Sequence, residues 1–480
     1  MSIKSRFSKK LGLLASILII TSSFSAHADS LNEKVERIIA SSGFVLEQTG
    51  VAAMSVKDGK TLVDVNGNLK LNPASCTKII TAAASLEALG SDYKFETIFW
   101  VDQPIDKTGQ IDTLFISGNG DPSLVSEKLW RMVGNLANHG LKKITKEIVI
   151  DNSFFDGPSY PRKNGNEDRA YTAHTSAVAL NFNTIMIMVM PPLPDSKDPR
   201  VLVEPENDYI KVINKVKTGA KFSIGIKNDQ KNNHSEEFKI TGTIPVNSKP
   251  AVFYKKVLNP SLYASAVLKK LLAQNNIDFQ GKVRIGKTPS LAQPILLEKS
   301  KPLASIVRDM MKFSNNFTAE QLTKHLGAVR KGKPGSTEKG IQVLQEYLTS
   351  LGITPDTYDL ENGSGLSTKN QLTAWQLVKV LRAVYNDFKV QPDFVASLSI
   401  LGVDGTMQTW KQAPQLRGDL RAKTGSLANV STLAGYIPLE NGDIVAFAIL
   451  INGFKKDYYS KHQTQKGELK IVSEIVKSGL

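Results

Sequence analysis

The sequence is poor in cysteine and histidine. Cys76 is its only cysteine among 480 residues, so no internal disulfide can form and stability must come from core packing. The six histidines show no His-Glu-x-x-His or similar ligand spacing, which disfavours a metallopeptidase, and no metal or other cofactor is expected. No Gly-x-Ser-x-Gly turn of the Ser-His-Asp hydrolases is present either.

Long apolar runs are absent except near the start of the chain. Residues 11–20 are apolar, follow four basic residues and lead to Ala26-His27-Ala28. This run is shorter than the roughly 20 residues of a membrane-spanning helix, and a small-x-small cleavage site follows it. The pattern therefore favours a signal peptide over residues 1–28, cleaved near Ala28, rather than a membrane anchor.

Acidic residues are fewer than basic ones. The 60 Lys and Arg outnumber the 45 Asp and Glu, and the net charge of +15 falls to about +11 without the predicted signal peptide. This balance favours an anionic partner. Because the basic residues are scattered and no nucleic-acid motif accompanies them, nucleic acid is not expected as a partner.

Apolar periodicity predicts an α+β fold with a strand-rich middle. Predicted helices cover residues 31–40, 75–89, 126–139, 261–275, 305–313, 318–331, 336–351 and 374–387, with a last helix near the end. Insertion of one domain into another explains this order, because an insertion at an exposed loop leaves the host core intact. We expect one domain from residues 29–95 and 290–480, interrupted by a β-rich region at 96–289. That region is predicted to form two subdomains, 96–183 with 248–289, and 184–247.

A serine and a lysine stand three residues apart in Ser75-Cys76-Thr77-Lys78, at the start of a predicted helix. Residues at this spacing share a helix face, so the amine of Lys78 can reach the hydroxyl of Ser75. A lysine with a lowered pKa can act as the base that activates a serine nucleophile. Alone the motif is weak, since a helix-capping serine and a solvated lysine would look the same.

Two further motifs strengthen that interpretation. Ser314-Asn315-Asn316 lies between two predicted helices, where helix capping is the alternative role. Lys423-Thr424-Gly425-Ser426 opens a predicted strand, and its glycine lets a substrate backbone approach closely. The three motifs occur in the order known for penicillin-binding proteins and β-lactamases, with Asn315 where an Asp is usual.

The chain resembles the class C low-molecular-mass penicillin-binding proteins, the D-alanyl-D-alanine carboxypeptidase/endopeptidase family. Besides the three motifs, several other segments match this family and spread the resemblance over nearly the whole mature chain. They are Gly118-Asn119-Gly120-Asp121-Pro122-Ser123-Leu124, Asp151-Asn152-Ser153-Phe154-Phe155, Asn181-Phe182-Asn183, Asn362-Gly363-Ser364-Gly365-Leu366-Ser367 and Gly402-Val403-Asp404-Gly405-Thr406. The resemblance implies a transpeptidase-like domain, with an antiparallel sheet flanked by helices and an all-helical lobe, carrying a large β-rich insertion.

The resemblance also implies roles for the motif residues. Ser75 is expected to be the nucleophile and Lys78 its base, while Ser314 relays a proton to the leaving amine and Asn316 holds Lys78 and the substrate amide. Lys423 would supply positive potential. Thr424, Gly425 and Ser426 would bind substrate, with the backbone amides of Ser75 and Ser426 as the oxyanion hole.

Some positions depart from the family pattern. Thr368 stands where relatives that grip the diaminopimelate side chain often have Arg, so Lys369 is the candidate replacement. In the inserted region, Asp168 or Glu167 with Tyr171 is a loosely aligned candidate for substrate binding. Cys76 is expected to pack into the core behind the helix rather than to serve a redox role.

The expected partners are peptidoglycan stem peptides in the periplasm, with β-lactam antibiotics as covalent inhibitors. Membrane association is expected to be peripheral at most, and a homodimer is left open. A β-lactamase-type hydrolase is the nearest enzymatic alternative, and the big insertion argues against it. A non-catalytic peptidoglycan-binding protein is the alternative from another class, and the intact pair of Ser75 and Lys78 argues against it.

Overall fold

The computed structural model describes residues 30–157, 169–232, 235–455 and 460–479, and for 229–232 only the backbone. The predicted signal peptide, Glu167 and Asp168 lie outside the described residues. Helices and sheets are both extensive, which confirms the predicted α+β class. Within the described ranges, no helix combines the length and apolar character needed to cross a membrane.

The helices and strands are numbered in chain order. The helices are α1 (Leu31–Ser41), α2 (Lys78–Leu89), α3 (Ser126–Asn138), α4 (Pro260–Gln274), α5 (Leu303–Phe313), α6 (Asn316–Lys331), α7 (Thr337–Ser350), α8 (Ala374–Asn386), α9 (Gln391–Ser397) and α10 (Lys461–Lys477). The first nine strands are β1 (Thr49–Ser55), β2 (Thr61–Val65), β3 (Glu96–Val101), β4 (Gln110–Gly118), β5 (Lys143–Asp151), β6 (Thr184–Met190), β7 (Arg200–Glu204), β8 (Ile210–Thr218) and β9 (Ser223–Asn232). The others are β10 (Ser235–Ile244), β11 (Ala251–Lys256), β12 (Asp278–Phe279), β13 (Lys282–Ile285), β14 (Gln293–Lys299), β15 (Ser399–Ile400), β16 (Arg421–Leu427), β17 (Val430–Pro438) and β18 (Ile444–Ile451).

Both ends of the chain build one antiparallel sheet. Its strand order is β15-β16-β17-β18-β1-β2, so the N-terminal strand β1 lies beside the C-terminal strand β18. Thr49 pairs with Ile451 and Ser55 with Val445. Strands this far apart in sequence can pair only after the chain between them has returned to its starting point.

Side chains of β18 alternate between the two faces of this sheet, as the two-residue period of a strand requires. Phe447 and Ile449 pack on the side of α1 and α10. Ala446 and Ala448 face the opposite layer, which contains α2 and α5–α9. Small side chains on that face let the helices approach the sheet closely.

Helix α6 is enclosed on all sides, with every residue from 317 to 328 buried. Its polar side chains therefore need internal partners. Gln321 Nε2 donates to the carbonyls of Gly120 and Ser176, at 3.2 and 2.9 Å, and His325 Nδ1 lies 2.8 Å from the carbonyl of Asn119. These contacts join the helix that follows Ser314 to the middle region of the chain.

The middle region contains a sheet of order β12-β5-β4-β3-β14, with β13 beside β5, and two three-stranded sheets, β11-β6-β7 and β8-β10-β9. Two strand pairings cross the predicted boundaries. Strand β14, which follows residue 289, pairs with β3. Strand β6 pairs with β11, across the predicted division at 183/184. Local sequence patterns suggested both boundaries, and such patterns do not contain the pairing of distant strands.

Substitution of Phe447 by Ala should destabilise the protein by about 3–5 kcal/mol, because the ring is 0% exposed in the core beside the sheet. Phe388, which is 85% exposed, is the matched control, and Phe388→Ala should change stability by less than about 0.5 kcal/mol. Urea unfolding followed by circular dichroism measures both. Equal effects of the two substitutions would contradict this assignment of the core.

Candidate active site

Ser75 lies on a turn of 3-10 helix, Ala74–Thr77, that leads directly into α2. The sequence predicted a regular helix from Ser75 onward. In a 3-10 turn, side chains three residues apart are nearly eclipsed, and Lys78 Nζ lies 3.0 Å from Ser75 Oγ. The amine of Lys78 therefore lies beside the hydroxyl of Ser75, as predicted, but a 3-10 turn rather than an α-helix brings the two side chains together.

The turn is held in place by two asparagines. Ala74 has a φ of +45°, a left-handed conformation that costs energy for a residue with a Cβ. Its amide donates to Asn72 Oδ1 at 2.8 Å, and the amide of Asn72 donates to Asn452 Oδ1 at 2.6 Å. Asn452 follows β18, so the sheet fixes the position of Ser75.

The amine of Lys78 is fully buried and has three neighbours. It lies 2.7 Å from Asn316 Oδ1, 2.5 Å from the carbonyl of Ser364 and 3.0 Å from Ser75 Oγ. The first two groups are pure acceptors and each needs an N–H. A neutral amine has two N–H groups and one lone pair, so its lone pair is then directed at the hydroxyl of Ser75.

The electrostatic surroundings favour that neutral amine. Burial holds the pKa of Lys78 well below its usual value, and the positive charge of Lys423 lowers it further, while Glu320 acts in the opposite direction. Burial also raises the pKa of Glu320, whose carboxylate accepts the amide of Ser364 at 3.0 Å. Both pKa shifts favour the uncharged form of the side chain, as expected of groups removed from water.

Ser314 ends α5 in the left-handed conformation, with a φ of +55°. This turn directs its hydroxyl to Lys423 Nζ at 2.9 Å, and the same amine donates to the carbonyl of Thr424 at 2.6 Å. Burial lowers the pKa of Lys423 to about 8. Asn315 has a capping role, since its Oδ1 accepts the amide of Thr318 at 3.0 Å in the first turn of α6.

Gly425 lets β16 lie against the nucleophile turn. A Cβ at this position would lie 2.9 Å from Ser75 N and 2.2 Å from Thr432 Oγ1, so no larger residue fits without a shift. The glycine brings the strand edge beside the backbone amide of Ser75, whereas the sequence analysis had assigned it to the approach of a substrate backbone.

The motifs meet at a cleft of about 220 Å³ lined by Ser75, Ser314, Thr424, Gly425 and Ser426, among others. Thr406 also lines it, with its hydroxyl 2.8 Å from Thr424 Oγ1. Nowhere in the described parts of the chain do three or more His, Cys, Asp or Glu side chains form a group that could hold a metal ion.

The remaining candidate residues are placed differently. Tyr171 adjoins the motif residues, because its backbone carbonyl accepts Asn316 Nδ2 at 3.2 Å, but it does not line the wall of the cleft. Lys369 is exposed and forms an ion pair with Glu361 at 3.4 Å, outside the wall of the cleft. Asp168 is not among the described residues.

The residues of the site that the sequence did not identify include Glu320, Ser364, Thr406 and Glu468. Glu320 stands four residues after Asn316 on α6, a spacing that places two side chains on one helix face and could have indicated it. Ser364 and Thr406 lie in segments recognised only as family segments. No sequence signal indicates Glu468, which reaches the cleft from α10.

Cys76 is 0% exposed, which confirms the prediction that it packs into the core. Its Sγ lies 3.3 Å from the carbonyl of Lys423 and 3.2 Å from Thr432 Oγ1. Burial raises the pKa of the thiol to about 11. Since the thiolate is the reactive form, the geometry and the pKa both make this cysteine inert.

Native protein should therefore react with a disulfide reagent at pH 8 at least about a hundredfold more slowly than unfolded protein. The absorbance of the released thiolate gives both rates, and Cys76 is the only residue that can contribute. Protein unfolded in urea is the control and should release one equivalent. Rapid stoichiometric reaction of the native protein would contradict the burial of Cys76.

The sequence and the fold are similar to those of known D-alanyl-D-alanine carboxypeptidases and penicillin-binding proteins. The chain is 29% identical to a D-alanyl-D-alanine carboxypeptidase of Actinomadura sp. (strain R39) over 443 residues, 89% of this chain and 82% of that protein. A crystal structure of penicillin binding protein 4 (dacB) from Haemophilus influenzae matches with a TM-score of 0.80 and 26% identity, covering 92% of this chain and 99% of the other. A second structure of that protein, complexed with a β-lactam, matches over the same shares of the two chains with a TM-score of 0.76 and 26% identity. The model of the family described as D-Ala-D-Ala carboxypeptidase 3 (S13) matches residues 31–472, so the chain belongs to this penicillin-binding peptidase family.

Proposed function

We propose that the protein is a serine D-Ala-D-Ala carboxypeptidase that acts through an acyl-enzyme on Ser75. The observation that carries this proposal is the environment of Lys78, whose buried amine lies 3.0 Å from Ser75 Oγ. In the neutral form that burial favours, this amine can accept the hydroxyl proton. A base held at hydrogen-bond distance from a serine hydroxyl is the arrangement that nucleophilic catalysis requires.

In the acylation step, Ser75 Oγ attacks the carbonyl carbon of the penultimate D-Ala while Lys78 accepts the hydroxyl proton. The oxyanion forms beside the backbone amides of Ser75 and Ser426, and each such donor contributes roughly 3–4 kcal/mol in other serine enzymes. The proton then reaches the leaving amine through Ser314. The C–N bond breaks, D-Ala leaves, and water hydrolyses the ester of Ser75.

The substrate carboxylate has a matching set of groups at the cleft. Lys423 supplies a buried positive charge, and Thr424 supplies a hydroxyl on the edge of β16. The hydroxyl of Thr406 is hydrogen-bonded to the Thr424 hydroxyl at 2.8 Å and orients it. A β-lactam carries a comparable carboxylate and a strained amide. It should therefore acylate Ser75 without releasing a leaving group.

Export to the periplasm follows from the predicted signal peptide, and peptidoglycan stem peptides are the substrate there. Their carboxylates suit a chain with 60 basic and 45 acidic residues. We further propose that the same machinery cleaves cross-links as a DD-endopeptidase, because a cross-link presents the same D-Ala carbonyl to Ser75.

Labelled penicillin should form a stable adduct with the mature protein, and Ser75→Ala should abolish it. Lys78→Met should slow acylation by about 10²- to 10⁴-fold, because the hydroxyl loses its base. Gel fluorescence and intact-mass analysis over time measure both effects. Rapid loss of the label would favour a β-lactamase, and no adduct in folded wild-type protein would favour a non-catalytic binding protein.

Purified protein should release D-Ala from monomeric pentapeptide muropeptides and split cross-linked dimers into monomers. Mass analysis of timed digests distinguishes the two reactions, with Ser75→Ala as the control. Release of D-Ala with dimers left intact would contradict the endopeptidase proposal and support the carboxypeptidase proposal.

A further inference from the structure

An ion pair outside the cleft joins two segments that carry site residues. Lys312 lies in the last turn of α5, two residues before Ser314, and its side chain is 11% exposed. Its amine donates to Asp404 Oδ2 and to the carbonyl of Leu398, each at 2.6 Å. A buried ion pair adds little net stability, because the loss of hydration offsets the attraction between the charges. What the pair holds in place is therefore the better guide to its role.

Asp404 begins a short segment that leads to Thr406. The second carboxylate oxygen of Asp404 accepts the amide of Ile400 at 2.9 Å, so one side chain binds both the lysine and the backbone of β15. Gly405 follows with a φ of +59°, and a Cβ there would lie 2.9 Å from the carbonyl oxygen of Lys312. The segment consequently lies directly against the end of α5.

Thr406 connects this segment to the wall of the cleft. Its amide donates to Ser399 Oγ at 3.2 Å, and Ser399 pairs with Ala422 of β16. The hydroxyl of Thr406 lies 2.8 Å from Thr424 Oγ1. A path of direct contacts thus runs from the ion pair to the Thr424 hydroxyl, although neither member of the pair lines the cleft.

We propose that Lys312 and Asp404 are positioning residues for substrate recognition, which hold Thr406 where its hydroxyl orients that of Thr424. The inference rests on the proposed function, in which Thr424 binds the carboxylate of the substrate. Hydrogen bonds weaken steeply when their angle departs from linear, so a small displacement of Thr406 is enough to misdirect the Thr424 hydroxyl. Because Ser314 follows Lys312 by two residues, the pair also ties the proposed proton relay to the strand that binds the carboxylate.

The alternative is that the two charges act on the substrate carboxylate directly, through their electric field. In that case removal of the positive charge of Lys312 would weaken carboxylate binding, and removal of the negative charge of Asp404 would strengthen it. Positioning predicts the same direction for both changes, because either one breaks the same contact. The sign of the effect at Asp404 therefore distinguishes the two hypotheses.

The test compares acylation by benzylpenicillin with acylation by its methyl ester, which lacks the carboxylate charge. Second-order rate constants are measured for wild type, Lys312→Met, Asp404→Asn and Asp309→Asn. The ratio of the benzylpenicillin rate to the ester rate should fall about tenfold in both Lys312→Met and Asp404→Asn, because a hydrogen bond to a charged group is lost. Asp309 is the matched control, because it lies on α5 and pairs with Lys301 away from the wall of the cleft, so its substitution should leave the ratio unchanged.

A double substitution tests the path through Thr406. Thr406→Val alone should lower the ratio about as much as Asp404→Asn does. Adding Asp404→Asn to Thr406→Val should then lower it little further, because the hydroxyl that the pair positions is already absent. The ester rate serves as the internal control, since general damage to Ser75 and Lys78 would slow both reactions equally.

Three results would overturn the inference. They are an equal fall of both rates in Asp404→Asn, which preserves the shape of the side chain, a higher ratio in that variant, and full additivity of Asp404→Asn with Thr406→Val. Failure of wild-type protein to acylate with benzylpenicillin would contradict the proposed function instead.

Discussion

A lysine amine without access to water is the constraint on which the site depends. Lys78 is fully buried, and its contacts to Asn316 Oδ1 and the carbonyl of Ser364 use two N–H groups. Because a charged amine is costly to bury, this arrangement favours the neutral form, and the lone pair then faces the serine hydroxyl. The same burial that stabilises the domain thus prepares the base.

That environment draws on four distant parts of the chain. Ser75 and Lys78 come from the turn before α2, Asn316 from the first residue of α6 and Ser364 from a loop after α7. Lys423 lies on β16, in the sheet that both chain ends build. The enclosed helix α6 connects these parts to the middle region of the chain, so the packing of that region and the position of Asn316 are linked.

Burial shifts three pKa values at the site. Lys78 and Lys423 are both buried and both have lowered pKa values, while Glu468 has a raised one. Burial is the main cause in each case, so the protein adjusts acid–base chemistry with depth more than with ion pairs. The site consequently combines a base whose neutral form burial favours with a lysine whose pKa is about 8 and a carboxyl group whose pKa is about 7.

The sequence alone determined the α+β class, the three motifs and the approach of Lys78 to Ser75, because local periodicity and a three-residue spacing encode them. It also indicated the burial of Cys76. It could not determine that β14 and β6 pair across the predicted boundaries, or that Glu320, Ser364, Thr406 and Glu468 adjoin the motifs. Those placements depend on contacts between segments far apart in the chain, which only the packed tertiary structure brings together. The pKa shifts likewise arise from burial, a property that no single segment possesses before the rest of the chain has folded around it.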